Sequence, residues 1–215
     1  NSYEVPRELG STLRTTILLA GPLLFRFGKA FLPKYKAGAT KAGPINRFYD
    51  AWRSLGISVE EDEDFIKLSG EKLVPANIVF KTSSHTATDN AILSSVFVPG
   101  ETIISNASEE CEIDELISLF NLMGASVERI EPRKVKVVGG NIFKGTRFDV
   151  GPDKSEIVVF ATAAILTRGN IAISGVKREV IVQFINFLNK IGVKFELQND
   201  ELKVWRNEEV LNQIQ

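Results

Sequence analysis

The sequence predicts an α/β (α+β) fold assembled from tandem copies of one unit, and three observations point to it. The first is an amphipathic helix stripe repeated at a spacing of about 68 residues. Ile113, Leu116, Ile117, Phe120 and Met123 fall at i, i+3, i+4, i+7 and i+10, on one helix face, and Gly124 closes the stripe. The same offsets hold Ile45, Phe48, Tyr49, Trp52, Leu55 and Gly56 upstream, and Ile181, Phe184, Ile185, Leu188, Ile191 and Gly192 downstream. The second observation is a short strand after each glycine: Ile57-Ser58-Val59-Glu60, Ala125-Ser126-Val127-Glu128-Arg129-Ile130 and Val193-Lys194-Phe195-Glu196. In the middle copy a charged turn leads on to a second strand, Lys134-Val135-Lys136-Val137-Val138. The third is that six positions agree in all three copies, which marks a repeat architecture.

Length and composition set the bounds. At 215 residues, 44% hydrophobic and 25% charged, the chain can bury a sizeable core and divide into one or two domains. A net charge of −1 excludes general attraction to nucleic acid or to a membrane, so any anion site has to be local. The one cysteine, Cys111, excludes an internal disulfide and suits a reducing cytoplasm. No apolar run reaches about 18 residues and no basic-then-apolar leader is present, so neither a membrane span nor a signal peptide is expected. The chain begins at Asn1 without a methionine, as a piece of something longer would.

In order along the chain, Ser11 to Leu24 reads as a helix that starts polar, with Arg14 in its first turn, and stops at Gly21-Pro22. Arg26 to Arg47 carries Arg26, Lys29, Lys34, Lys36, Lys41 and Arg47 without an acid, loosened by Gly28, Pro33, Gly38, Gly43 and Pro44. Backbone N–H and ammonium groups of such a segment can converge on a phosphate, although a solvated surface loop has the same composition. Glu60-Glu61-Asp62-Glu63-Asp64 reads as a solvated hairpin tip. Ala76 to Phe80 is a strand, Lys81 to Asn90 a polar run, and Ala91 to Phe97 a helix. The hydroxyls and Asp89 ahead of that helix are N-capping chemistry, in a place that could also hold a ligand. His85, the only histidine, makes neither a metal site nor a catalytic triad by itself. Gly100 to Ala107 is a strand entering a turn. Cys111, beside carboxylates, reads as inert. Ile157 to Leu166 is an apolar helix, and Gly151-Pro152 before it is the best candidate for a domain boundary.

Four stretches together carry a family resemblance: Arg14-Thr15-Thr16-Ile17-Leu18-Leu19-Ala20-Gly21-Pro22-Leu23-Leu24-Phe25-Arg26-Phe27-Gly28, Thr86-Ala87-Thr88-Asp89-Asn90, Gly100-Glu101-Thr102-Ile103-Ile104-Ser105-Asn106-Ala107 and Pro152-Asp153-Lys154-Ser155-Glu156. Over residues about 10 to 206 the chain resembles the enolpyruvyl transferase family, in its UDP-N-acetylglucosamine branch. The resemblance implies tandem βαβαββ repeats of the inside-out α/β barrel type, three in each of two domains with the active site in the cleft between them. Residues 1–150 would then be part of the first domain, as two repeats at about 14–80 and 81–149, and residues 151–215 the start of the second.

The reaction so implied moves the enolpyruvyl group from phosphoenolpyruvate to the 3-hydroxyl of UDP-N-acetylglucosamine, the committed step of peptidoglycan synthesis. It runs by addition and elimination through a tetrahedral ketal and needs cationic clamps and proton-moving groups. By position, Arg14 would bind anionic oxygens, with Lys41 as a nearby cation. Pro44, Ile45, Asn46 and Arg47 would line the uridine pocket, and Lys81, Ser83, Ser84 and Thr86 would hold the diphosphate and sugar. Asp153, Lys154 and Glu156 would fall at the domain crossing. No cofactor and no metal is implied, and the partners are the two small-molecule substrates, with no nucleic acid or membrane, for a cytoplasmic monomer.

The sequence also departs from the family. Lys36 stands where the mobile loop usually carries a cysteine or an aspartate. A lysine is protonated near its reference pKa, so it could donate a proton or pair with phosphate but not act as the thiol. Gly43 takes the place of the loop arginine, and the loop is about two residues longer. The family's lysine-asparagine motif would lie before Asn1, and its acid-base aspartate and phosphate-binding arginine beyond Gln215. Two other readings stay open, a non-catalytic homologue that retains nucleotide-sugar binding and a relative of the shikimate-3-phosphate branch.

Overall fold

A computed structural model describes residues 2–35 and 45–205. Its contacts divide the chain into two compact units, Asn1–Phe148 and Asp149–Gln215, just before the Gly151-Pro152 pair.

The middle copy of the repeat shows the unit in full. It runs β4 (Asn77–Val79), α4 (His85–Ser95), β5 (Gly100–Ser105), α5 (Cys111–Leu122), β6 (Ser126–Glu131) and β7 (Lys134–Gly139), a βαβαββ sequence. The sheet order is β4-β5-β7-β6, with β4 and β5 parallel and the other pairs antiparallel. The preceding copy, after the short α1 (Arg7–Gly10), has α2 (Ala20–Phe27), β1 (Lys29–Pro33), α3 (Asn46–Ser54), β2 (Ser58–Glu61) and β3 (Phe65–Ser69), with sheet order β1-β3-β2. In the second unit, α6 (Lys154–Leu166), β8 (Asn170–Ser174), α7 (Arg178–Lys190), β9 (Lys194–Gln198) and β10 (Glu201–Trp205) give the same order, β8-β10-β9.

One turn defines the unit three times. Gly56, Gly124 and Gly192 have φ of 79°, 102° and 73°, a left-handed conformation that glycine adopts without a side-chain penalty. The N–H of each bonds three residues back, and the next N–H bonds five back: Ile57 to Trp52 O at 3.0 Å, Ala125 to Phe120 O at 2.9 Å, Val193 to Leu188 O at 3.0 Å. This two-bond closure satisfies the orphan carbonyls at the helix end and swings the chain into the next strand. Trp52, Phe120 and Leu188, the residues that accept these bonds, are all buried, so the turn is tied to the core on its apolar side.

The structure corrects two expectations. Gly21-Pro22 does not stop a helix. Arg14–Leu19 is a 3₁₀ turn that leads directly into α2, where Gly21 and Pro22 occupy the first turn and the missing proline N–H is not needed. The helix ends instead at Gly28, φ 70°, whose N–H bonds Leu24 O at 2.7 Å. Gly21 permits close packing: a Cβ there would sit 2.3 Å from Leu93 O on α4.

Second, the polar run at Thr86–Asn90 is helix, not an approach to one. α4 starts at His85 and buries polar and apolar positions together, Thr88, Asn90, Ser94 and Ser95 as well as Ala87, Ala91 and Ile92. Its polar positions tie neighbouring segments to it. Thr88 Oγ1 donates to Ser84 O at 2.9 Å and accepts from Ser108 N at 2.9 Å, and Asn90 Nδ2 donates to Ile17 O at 2.8 Å.

The acidic run after α3 is the exposed tip of the β2–β3 hairpin, as expected, and its carboxylates are also ion-paired. Arg7 meets Asp64 at 2.8 Å, Lys34 meets Glu61 at 3.0 Å and Lys67 meets Asp62 at 2.7 Å, and the Tyr49 hydroxyl donates to Glu61 at 2.9 Å. No helix among the described residues is long and apolar enough to cross a membrane.

Candidate functional site

Part of the positive charge of the basic segment serves the fold. Lys34 is paired with Glu61, Lys29 lies over the Tyr3 ring at 3.9 Å, and Arg26 lies over Phe27 at 5.9 Å. Arg14 and Arg47 are used differently. Among the described residues neither meets a carboxylate, and both line one concavity in the first unit.

Three elements build that concavity. The 3₁₀ turn presents Arg14 at its start and Thr16 and Ile17 further along. The residue before α3, Ile45, and its second residue, Arg47, form a second wall. The start of α4 supplies the third, through Ser84 and Thr86. Ser84 is the N-cap of α4 and its hydroxyl accepts from Ala87 N at 3.4 Å. The first turn of α4 carries no acid, so its positive dipole end is not neutralised from within the helix. Leu32, Phe48 and Ile66 give an apolar floor, Tyr35 adds a ring, and among the described residues none that lines it is acidic. Two guanidinium groups, a hydroxyl and the N-terminus of a helix around an apolar floor suit an anionic ligand that also carries an apolar or ring-shaped part.

A second concavity is lined by Asn46, Arg47 and Lys81, with Asp50 and Thr82 beside them, and Arg47 faces both. Of the residues singled out in the sequence, Arg14, Ile45, Arg47, Ser84 and Thr86 thus meet in one place and Asn46 and Lys81 in its neighbour, while Ser83 lines neither. Lys36, Lys41 and Pro44 lie outside the described residues. Leu13, Thr16 and Tyr35 also line the first concavity, and sequence reasoning misses them because a 3₁₀ turn and the end of a strand give no apolar periodicity to place them.

Behind the start of α4, Asp89 Oδ2 lies 3.1 Å from His85 Nε2. Burial pushes the Asp89 carboxyl up to about 6, the His85 ring opposing the shift and the nearby Glu110 and Glu112 charges adding to it.

The family model described as EPSP synthase (3-phosphoshikimate 1-carboxyvinyltransferase) matches residues 1–214. The chain belongs to this enolpyruvyl transferase family. Among curated relatives, a UDP-N-acetylglucosamine 1-carboxyvinyltransferase of Pelagibacter ubique is 32% identical over 206 residues, which is 95% of this chain and 49% of the relative. The enzyme of the same name from Treponema denticola is 33% identical over 201 residues, 94% of this chain and 47% of the relative. The chain therefore spans about half the length of the curated relatives it matches. The fold agrees. The crystal structure of the enolpyruvyl transferase NikO from Streptomyces tendae matches with a TM-score of 0.82 at 17% identity, over 97% of this chain and 50% of that one. An EPSP synthase structure from Acinetobacter baumannii matches with a TM-score of 0.65 at 18% identity, over 91% of this chain and 45% of that one. The tandem α/β repeat legible in the sequence is thus the fold of enolpyruvyl transferases.

Proposed function

We propose that the chain is part of an enzyme that transfers the enolpyruvyl group of phosphoenolpyruvate to the 3-hydroxyl of UDP-N-acetylglucosamine, with release of phosphate. The observation that carries this reading is the concavity, without an acidic side chain among the described residues, where Arg14, Arg47 and the start of α4 converge over an apolar floor. A nucleoside diphosphate sugar has the matching parts: phosphates for the guanidinium groups and helix N–H groups, and a ring face for Ile45 and Phe48. The names of the relatives supply the choice of acceptor.

The roles of the residues rest on their chemistry. Arg47, between the two concavities, and Lys81 hold the diphosphate, Ser84 and Thr86 add hydroxyl and backbone donors, and Ile45 and Asn46 bound the uridine. Arg14 binds anionic oxygen, where fixed positive charge lowers the energy of charge developing in the ketal. Lys36 and Lys41 add positive charge, and Lys36 stands at the proton-delivery position. Residues 1–150 belong to the first domain and residues 151–215 begin a second. In the second unit Val159, Phe160 and Leu166 of α6 and Val182 and Phe187 of α7 are exposed, an apolar face of the kind that further copies of the repeat would cover. The complete enzyme acts as a cytoplasmic monomer in cell-wall synthesis.

One observation favours a second reading. Lys36 in place of the family's cysteine or aspartate fits a homologue that binds the nucleotide sugar without turning it over. The test is phosphate release from phosphoenolpyruvate by the full-length protein. Release that depends on UDP-N-acetylglucosamine supports the first reading. Binding without release supports the second, and release that depends on shikimate 3-phosphate instead overturns both.

A further inference from the structure

His85 is the first residue of α4, and its imidazole is where α4 and α5 meet. Nε2 lies 3.1 Å from Asp89 Oδ2, one turn along the same helix, and Nδ1 lies 3.2 Å from Glu110 Oε2, at the N-cap of α5. Glu112, in the first turn of α5, completes a group in which one ligand atom from each of His85, Glu110 and Glu112 lies within 4.8 Å of the others. The two glutamates have a local reason for their positions, because carboxylates are stabilised at the positive end of a helix. The imidazole instead faces a carboxylate with each of its nitrogens. A charged ring at the start of α4 opposes the dipole there, and a neutral ring has one N–H for two facing carboxylates. With the neutral ring, the second nitrogen turns a lone pair toward a carboxylate oxygen, a repulsion that a cation between the two atoms removes.

We propose that His85, Glu110 and Glu112 form a binding site for a divalent first-row metal ion such as Zn²⁺, with Asp89 holding the ring in place. One imidazole nitrogen and two carboxylate oxygens are the donor set of an open zinc site, in which solvent or a ligand takes the remaining position. Zinc–nitrogen and zinc–oxygen bonds of about 2.0–2.2 Å place tetrahedral ligand atoms roughly 3.4 Å apart. The widest spacing in the group therefore closes by up to roughly 1.4 Å on binding, through rotation of the Glu110 and Glu112 side chains. Asp89 accepts from Nε2–H and so fixes the tautomer that leaves the Nδ1 lone pair for the metal. The ion stands next to Ser84 and Thr86 in sequence, but its binding does not depend on what the neighbouring concavity holds.

The test titrates the full protein with ZnCl₂ near neutral pH, by calorimetry and by the nitrogen resonances of the His85 ring, assigned with His85→Asn. The expected result is one Zn²⁺ at this site and a shift of Nδ1 while Nε2 stays protonated. The double variant Glu110→Gln, Glu112→Gln binds at least about tenfold more weakly, and Asp89→Asn about tenfold or more. Circular dichroism in the absence of metal confirms that each variant is folded, and Glu112→Gln alone replaces the double variant if that one is not. Zinc that leaves the His85 resonances unmoved, or that binds the folded glutamine variant as tightly as the parent, overturns the proposal.

Discussion

Arg47→Ala removes a guanidinium that among the described residues has no carboxylate partner and that lines both concavities of the first unit. Its loss should therefore cost binding and spare folding. A hydrogen bond to a charged group contributes about 1.5–3 kcal/mol, so the affinity for UDP-N-acetylglucosamine should fall about 10- to 150-fold. With no ion pair to lose, unfolding stability should change by less than about 0.5 kcal/mol. Arg129→Ala is the control, because Arg129 donates to Asp114 Oδ1 at 2.7 Å and to Pro132 O at 2.8 Å and lines neither concavity. That variant should lose stability and keep affinity. Calorimetric titration and thermal unfolding of both variants in the full-length protein read the two quantities separately. An Arg47→Ala protein that binds the nucleotide sugar within twofold of the parent refutes the placement of the phosphates, and one that loses affinity only because it is unfolded refutes the division of labour.

Three further outcomes are expected of the fold. Gly21→Ala should be destabilising by at least about 1–3 kcal/mol, since its Cβ meets the α4 backbone at 2.3 Å and the helices have to part; denaturant unfolding checks it. Gly56→Ala should cost more than Gly124→Ala. Both place a side chain at positive φ, at about 1–2 kcal/mol, but a Cβ at Gly56 also lies 2.8 Å from Lys72 O, whereas the nearest atom at Gly124 is 3.4 Å away. Equal losses would mean that crowding adds nothing at Gly56. The Lys34 ammonium, followed by the Tyr49 hydroxyl, holds the Glu61 carboxyl below its ordinary value. A lowered folded-state pKa gives stability that is complete above the unfolded pKa and is lost as pH falls through the folded one. Glu61→Gln should consequently lose less stability on acidification than the parent, which melting temperatures between neutral and acid pH would show.

The legible parts of the fold are those with a one-sided signature. The stripes ending at Gly56, Gly124 and Gly192 stand out because each helix buries one face and its closing turn needs a left-handed residue. The start of α4 is hidden for the opposite reason. A helix whose buried positions include Thr88, Asn90, Ser94 and Ser95 has no clean apolar stripe, and such residues look like loop until their neighbours are known. The Gly21-Pro22 pair looks like a stop because the sequence alone does not say whether a proline falls inside a helix or in its first turn. The site divides along similar lines. Arg47 and Ile45 are adjacent to a legible helix and both reach the concavity, whereas Thr16 and Tyr35 come from a 3₁₀ turn and a strand end that carry no periodic signal. The contact between His85 and Glu110 joins two helix starts 25 residues apart, and nothing in the spacing along the chain announces it.

The most direct measurement is a structure of the full-length protein with UDP-N-acetylglucosamine bound. The account predicts diphosphate oxygens within about 2.7–3.2 Å of the Arg47 guanidinium and of donors at the start of α4. A nucleotide sugar seated away from Arg47 and Ser84, or one that does not bind at all, would contradict it.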